Sequence, residues 1–169
     1  PALPYDLLIS GSDQIWNPAI FPDGAFDPVF FGAFSDRRRI AYAPSFGSAA
    51  LSPAQKEQLR DLLAGFSHLS AREVRGQALI QESALRQAPV VLDPTLLLTQ
   101  SQWAALAHLP QDYPQGDYIL CYCISPPGPL LPYLRRLTER TGLPVVQLCG
   151  VRRRIAPGVR TVLDAGPGE

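Results

Sequence analysis

The sequence predicts an α/β protein built on parallel sheets, and three observations carry that prediction. Short apolar runs alternate with longer segments whose leucines recur at helical spacing, the pattern of strands joined by crossover helices. The runs at residues 5–10, 39–45, 68–72 and 89–92 end in, or lead straight into, Gly, Ser, Arg or Asp, so polar groups collect at strand ends. A stretch rich in Pro, Gln and Gly over residues 110–116 then separates a second unit of the same kind.

Residues 5–10 (Y-D-L-L-I-S) form the first apolar run, a buried strand leading into a loop at Gly11 and Ser12. Residues 39–45 (R-I-A-Y-A-P-S) repeat the pattern, with Pro44 stopping the strand. Ser52, Pro53 and Gln55 make a capping box with proline at the first helical position, and Leu59, Leu62, Leu63 and Phe66 follow on one helical face. A strand at 68–72, a helix at 74–86, a strand at 89–92 and a Ser101-capped helix reaching His108 continue the alternation. Beyond the polar break come a strand at 118–124 and a helix at 129–141, with Leu130, Leu134 and Leu137 on one side and Gly142 as its stop. Strands at 145–149 and 159–163 complete the reading. The expected organisation is a first lobe over 1–109, a linker at 110–116 and a second lobe over 117–169, without internal repeats.

The 46% hydrophobic and 18% charged content is that of a folded globular chain. Fifteen basic residues balance fifteen acidic ones, leaving no overall field to hold nucleic acid or an anionic membrane surface. The longest apolar runs, such as 90–92 and 96–98, are far short of the roughly 18 residues of a membrane span. The expectation is a soluble, cytoplasmic protein with no integral membrane segment. Cys121, Cys123 and Cys149 match no zinc spacing and read as core residues of a reducing compartment, so neither a metal nor a cofactor is expected. Arginine supplies 14 of the 15 basic residues, which reflects codon bias or a supply of planar forks for carboxylate and phosphate. With no methionine, an opening just ahead of a strand and a close on helix-start residues, the chain is expected to be an internal piece of a longer protein.

The segments that carry chemistry sit at the strand ends. Residues 11–18 (G-S-D-Q-I-W-N-P) follow the first strand, where open α/β sheets bind their ligands. Gly11 permits close backbone approach, and Ser12, Asp13, Gln14 and Asn17 can hold hydroxyls, with Asp13 also able to position a proton. The competing reading is a capped turn over a buried Trp16. Residues 41–47 (A-Y-A-P-S-F-G) end the second strand in Ser45 and Gly47. Residues 70–73 (S-A-R-E) end the third in Arg72 and Glu73, and residues 92–97 (L-D-P-T-L-L) follow the fourth. Four parallel strand ends lying along one edge outline a cleft.

Taken in this order, the four motifs resemble the polysaccharide pyruvyl transferase family, closely over residues 5–108 and loosely beyond. The resemblance implies Rossmann-like parallel sheets in a two-lobed architecture like that of glycosyltransferases of the GT-B type, present here as a fragment. It implies transfer of a pyruvyl group from phosphoenolpyruvate to a hydroxyl of a sugar or polysaccharide precursor, as a ketal. Asp13 is then the expected catalytic or hydroxyl-orienting group, with Gly11, Ser12, Gln14, Asn17, Ser45, Arg72 and Glu73 as the expected substrate-binding set. Arg72 suits a donor bearing a phosphate and a carboxylate, which a guanidinium grips in bidentate fashion; the alternative is an internal ion pair with Glu73 or another acid. The family's histidine-bearing Ser-Phe-His-Gly type segment has no counterpart here, so His68 and His108 take no catalytic role and the isolated chain is expected to be inactive. Arg37, Arg38, Arg39 and Arg152, Arg153, Arg154 read as solvated loops. The other functional readings are a nucleotide-sugar glycosyltransferase of similar shape and a noncatalytic interaction domain.

Overall fold

Parallel pairing of short strands organises both halves of the chain. The computed structural model describes residues 5–108, 116–123, 128–149 and 159–162. They divide into two units, within Pro1–Thr99 and Gln100–Glu169. That division falls ahead of the polar break expected at 110–116, most of which lies outside the described residues.

In the first unit β1 (Leu7–Ser10), β2 (Arg38–Ala41) and β3 (Phe66–His68) form a parallel sheet in sequential order, with Leu8 opposite Arg39 and Arg39 opposite Phe66. The expected second strand ends four residues early, because Ala43 takes a left-handed backbone (φ 53°) just before Pro44. The expected fourth strand contracts to a single bridge, Ala71 to Val90, held by Ala71 N–H on the Pro89 carbonyl (3.0 Å) and Val91 N–H on the Ala71 carbonyl (2.9 Å). On the other side of Ala71, Arg72 N–H donates to the Pro44 carbonyl at 3.2 Å, tying the segment to the loop after β2.

Helix α1 (Pro53–Leu63) begins at the predicted capping box. Ser52 Oγ accepts from Gln55 N–H, and Gln55 Oε1 accepts from Ser52 N–H. Leu59 and Leu63 are fully buried, whereas Phe66, expected on the same helical face, opens β3 and reaches the core from the sheet. Helix α2 (Val74–Ala84) ends two residues before the expected Arg86, where Leu85 adopts a left-handed cap. Both helices bury their leucines into one core with Trp16, Phe26, Phe31, Phe46 and Phe66.

Trp16 is the centre of that core. Its ring stacks on Phe31 at 4.8 Å and meets Phe46 and Phe66 edge-on, each at 5.6 Å, while its Nε1–H reaches the Phe30 carbonyl at 3.3 Å. The segment between β1 and β2 holds only two short 3-10 turns, Pro18–Ile20 and Pro28–Phe31, so these aromatic contacts do the work of a crossover helix. Arg38, read as part of a solvated loop, opens β2, and Arg39, read both as that loop's end and as the strand's first residue, lies within it, half-buried with its guanidinium 5.5 Å from the Phe66 ring centre and Nη1 donating to the Phe31 carbonyl. Arg152, Arg153 and Arg154 lie outside the described residues.

The second unit pairs β4 (Ile119–Cys123), β5 (Val145–Cys149) and β6 (Val159–Val162) in a second parallel sheet of sequential order. Helix α4 (Leu131–Thr141) crosses between β4 and β5 and closes on Gly142, which has the positive φ (71°) of a helix-ending glycine. Leu134 packs with Cys121 and Val145. Leu130 and Leu137, expected on the same buried face, are nearly half exposed, so Leu134 is the leucine that seats the helix. Cys121 and Cys123 are unbridged, with sulfurs 3.6 Å apart. Helix α3 (Gln100–Leu106) begins one residue ahead of the expected Ser101 cap. Both units are α/β with parallel sheets, compatible with a Rossmann-like fold. No helix among the described residues is long and apolar enough to cross a membrane.

Because Trp16 holds an otherwise irregular segment against the sheet, the first unit's stability should depend on its stacking partner. Phe31→Ala should cost about 3–5 kcal/mol in chemical denaturation, and Phe31→Leu much less, since it keeps most of the buried volume.

Candidate functional site

The parallel register carries β1, β2 and β3 in one direction, so the loops that follow them emerge along one edge. Hydrogen bonds then knit those loops together. Ser45 N–H donates to the Asp13 carbonyl (2.9 Å), and Trp16 N–H to the Ser45 carbonyl (3.2 Å). The Ser70 hydroxyl donates to the Ala41 carbonyl and accepts from Ala43 N–H. Glu73 Oε1 accepts from Phe46 N–H at 3.0 Å. Gly47 has φ 57°, a backbone that favours glycine, and a Cβ there would lie 2.5 Å from Gln14 Oε1, so the Gln14 side chain would have to move aside.

At the centre of this edge stands Arg72. Its Nη1 donates to Asp93 Oδ2 at 3.1 Å and to Ser12 Oγ at 3.4 Å. Asp13 Oδ1 lies 4.0 Å from the same nitrogen, and Glu73 Oε2 lies 3.9 Å from Nε. Ser12 in turn donates to Asp93 Oδ2 at 2.5 Å. The other Asp93 oxygen, Oδ1, accepts from both the backbone N–H (3.0 Å) and the hydroxyl (2.7 Å) of Thr95. Hydrogen bonds from Ser12, from the Thr95 hydroxyl and N–H, and from Arg72 hold the Asp93 carboxyl well below the usual aspartate range, against a smaller penalty from partial burial.

The structure thus brings Ser12, Asp13, Arg72 and Glu73 into one polar cluster. Gly11 is exposed, with open space where a side chain would begin. Asn17 and Ser45 are buried, and their polar atoms go to protein partners: Asn17 Nδ2 donates to Gln14 Oε1, its Oδ1 accepts from Ala19 N–H, and Ser45 Oγ accepts from Gly47 N–H. Those two side chains shape the loops. Trp16 is buried as the capped-turn reading had it, while the turn above it still presents an exposed Asp13. Arg72 forms the internal ion pair raised as its alternative, with Asp93 as the nearest acid and Glu73 a more distant second.

Asp93 and Thr95 lie in the fourth strand-end motif, residues 92–97, but were not named among the expected site residues. The one local signal is an aspartate ahead of Pro94 and Thr95, the pattern of a side chain capping the 3-10 turn Pro94–Leu97. His68 and His108 are exposed, and His68 Nδ1 lies 3.3 Å from Ser67 Oγ. Among the described residues no group of three or more His, Cys, Asp or Glu is placed to hold a metal ion. A cavity of about 180 Å³ lies along β1, walled by Ser10, Gly11, Ile15, Phe30, Phe34 and Arg39, and includes neither Asp13 nor Arg72.

The family model described as polysaccharide pyruvyl transferase matches residues 2–143, a span that contains every member of the cluster. No curated protein and no solved structure matches the chain.

The lowered Asp93 titration gives stability with a defined pH dependence. A carboxylate stabilised in the folded state contributes fully above its ordinary value of about 3.9 and loses that contribution as pH falls toward its folded value. Asp93→Asn should therefore be less stable than the unchanged chain at neutral pH. The gap should narrow as pH is lowered below about 4, as measured by denaturant titrations across pH.

Proposed function

The chain belongs to the polysaccharide pyruvyl transferase family, and from that premise we propose that its first unit forms part of the site where a sugar hydroxyl takes the pyruvyl group of phosphoenolpyruvate. The observation that carries the reading is the state of Asp13. Its side chain is 87% exposed, it stands on a positive φ of 71°, and it lies 4.0 Å from the Arg72 guanidinium at the ends of parallel strands. A non-glycine residue in that conformation is uncommon, and such backbones gather at functional sites. Its Oδ1 accepts from Gln14 N–H at 2.8 Å, while Oδ2 has no hydrogen bond among the described residues. That oxygen is open to a sugar hydroxyl.

The proposed chemistry assigns these groups as follows. The hydroxyl oxygen adds to the enol carbon of phosphoenolpyruvate while its proton passes to a base, and an acid delivers a proton to the methylene, which becomes a methyl. A second hydroxyl then displaces phosphate, closing the ketal. Asp13 orients the hydroxyl and takes its proton. Arg72, with no hydrogen bond from Nη2 among the described residues, directs N–H groups at the donor's phosphate or carboxylate. Asp13, Glu73 and Asp93 all lie within 4.0 Å of its nitrogens, so Arg72 offers directed donors rather than surplus charge. The rest of the donor's charge, and the acid, come from residues outside this cluster.

Asp13→Gly separates chemistry from scaffold, because glycine accepts the positive φ and keeps the backbone carbonyl that Ser45 uses. The melting temperature should hold or rise, while acceptor kcat/KM falls by about a hundredfold or more. Near-normal turnover in Asp13→Gly would sink the assignment. Arg72→Lys keeps the charge and loses the fork, so donor kcat/KM should drop by about tenfold to a hundredfold, corresponding to about 1.5–3 kcal/mol, with Arg72→Ala lower still. The measurement is phosphate release from phosphoenolpyruvate, dependent on sugar acceptor, in the full-length protein. An unchanged donor constant beside a lowered melting temperature would leave Arg72 with only its structural pair.

A further inference from the structure

We infer that Asp93 is a positioning residue, holding the Arg72 guanidinium and the Ser12 hydroxyl so that Arg72 does not close onto Asp13. The inference rests on the donor-contact reading of Arg72 and extends it to a residue that touches no substrate. Each Asp93 oxygen already accepts two hydrogen bonds: Oδ2 from Ser12 Oγ and Arg72 Nη1, and Oδ1 from Thr95 N–H and Thr95 Oγ1. A carboxylate in that state has no lone pair left for a ligand, so any effect it has on turnover passes through its partners.

The geometry of Arg72 Nη1 shows what that effect is. Nη1 reaches Asp93 Oδ2 at 3.1 Å and Ser12 Oγ at 3.4 Å, and since those two acceptors are only 2.5 Å apart they share one of its N–H groups, which fixes the direction of the guanidinium. Asp13 Oδ1 stands at 4.0 Å from the same nitrogen, close enough for attraction and too far for a hydrogen bond. Asp93 and Asp13 thus compete for one nitrogen, and Asp93 holds it. With the Asp93 charge removed, Asp13 and Glu73 become the strongest acceptors near Arg72, and a small rotation of the guanidinium would pair it with Asp13. One collapse would take the proposed hydroxyl-orienting carboxylate and the proposed donor contact away from substrate together. Thr95 belongs to the same device, since it fixes the Asp93 oxygen that faces away from Arg72.

The test is a mutant cycle in the full-length protein, following donor and acceptor kinetics beside a melting curve. Asp93→Asn should lower donor kcat/KM by about tenfold to a hundredfold, the range of a lost charge-assisted hydrogen bond. Thr95→Val, which keeps the Asp93 charge, should lower it by about two- to tenfold. On an Arg72→Ala background both losses should vanish, because the residue through which Asp93 acts is gone. A purely structural Asp93 gives a lowered melting temperature with unchanged donor kinetics, or losses that add in full to that of Arg72→Ala, and either result overturns the inference. If Asp93→Asn does not fold, Thr95→Val decides the question by the same two criteria. Arg72→Ala with an unchanged donor constant would overturn the Arg72 reading and this inference together. An Arg72→Ala defect beside a silent Asp93→Asn would overturn this inference alone.

Discussion

The packing of Trp16 is the constraint on which the first unit depends. Between β1 and β2 the chain runs from Gly11 to Arg37 without an α-helix, and most of its own hydrogen bonds close local turns, such as Ile20 N–H to the Asn17 carbonyl and Gly32 N–H to the Val29 carbonyl. Its shape comes from one indole that stacks on Phe31, within the segment, and also meets Phe46 from the loop after β2 and Phe66 from β3. Aromatic pairs of this kind contribute about 0.5–1.5 kcal/mol each beyond the area they bury. Because these partners come from its own segment, from the loop after β2 and from β3, Trp16 sets the position of the loop that bears Ser12 and Asp13 relative to the loops that bear Ser45 and Arg72.

On that base the polar groups of the strand ends satisfy one another. Asn17, Ser45 and Ser70 are buried and hydrogen-bonded, the side chains of the first two within their own loops and Ser70 to the loop after β2, as burial of polar groups demands. The Asp93 carboxylate gathers donors from Ser12, Arg72 and Thr95. A preorganised edge results, in which the inner polar atoms are spent on geometry while Asp13 is left facing solvent. The Ala43 backbone, at φ 53° and fully buried, is a second strained point on the same edge, retained because Ser70 and the sheet hold its flanks.

The charge balance of the cluster sharpens its chemistry. Three carboxylates surround one guanidinium, which favours hydroxyl groups that donate hydrogen bonds and disfavours an approaching anion unless other cations accompany it. A cluster of this composition suits a reaction whose acceptor is a polyol and whose donor is anionic only if the donor's main cationic contacts lie elsewhere in the enzyme. The roles proposed for Asp13 and Arg72 draw on that arithmetic as much as on their positions.

Local physics made the elements of this protein legible from its sequence. The Ser52 to Gln55 capping box and the Gly142 helix stop rest on contacts within a few residues, and β1, β4 and β5 announce themselves as apolar runs, so composition and spacing were enough to place them. The four strand-end motifs likewise marked where polar side chains meet. Strand ends were less legible, because Ala43 after β2 and the Arg72 N–H after Ala71 answer to neighbouring loops. The partner of Arg72 was settled only in three dimensions: Asp93 lies 21 residues from it and 81 from Ser12, and the Asp-Pro-Thr sequence announces no more than a local cap. Tertiary structure also decided which polar residues face outward, turning Asn17 and Ser45 inward and leaving Asp13 exposed. Sequence determines what a side chain can bond, whereas the folded chain determines which competing partner comes nearest, since a hydrogen bond depends on distances that only the packed core sets.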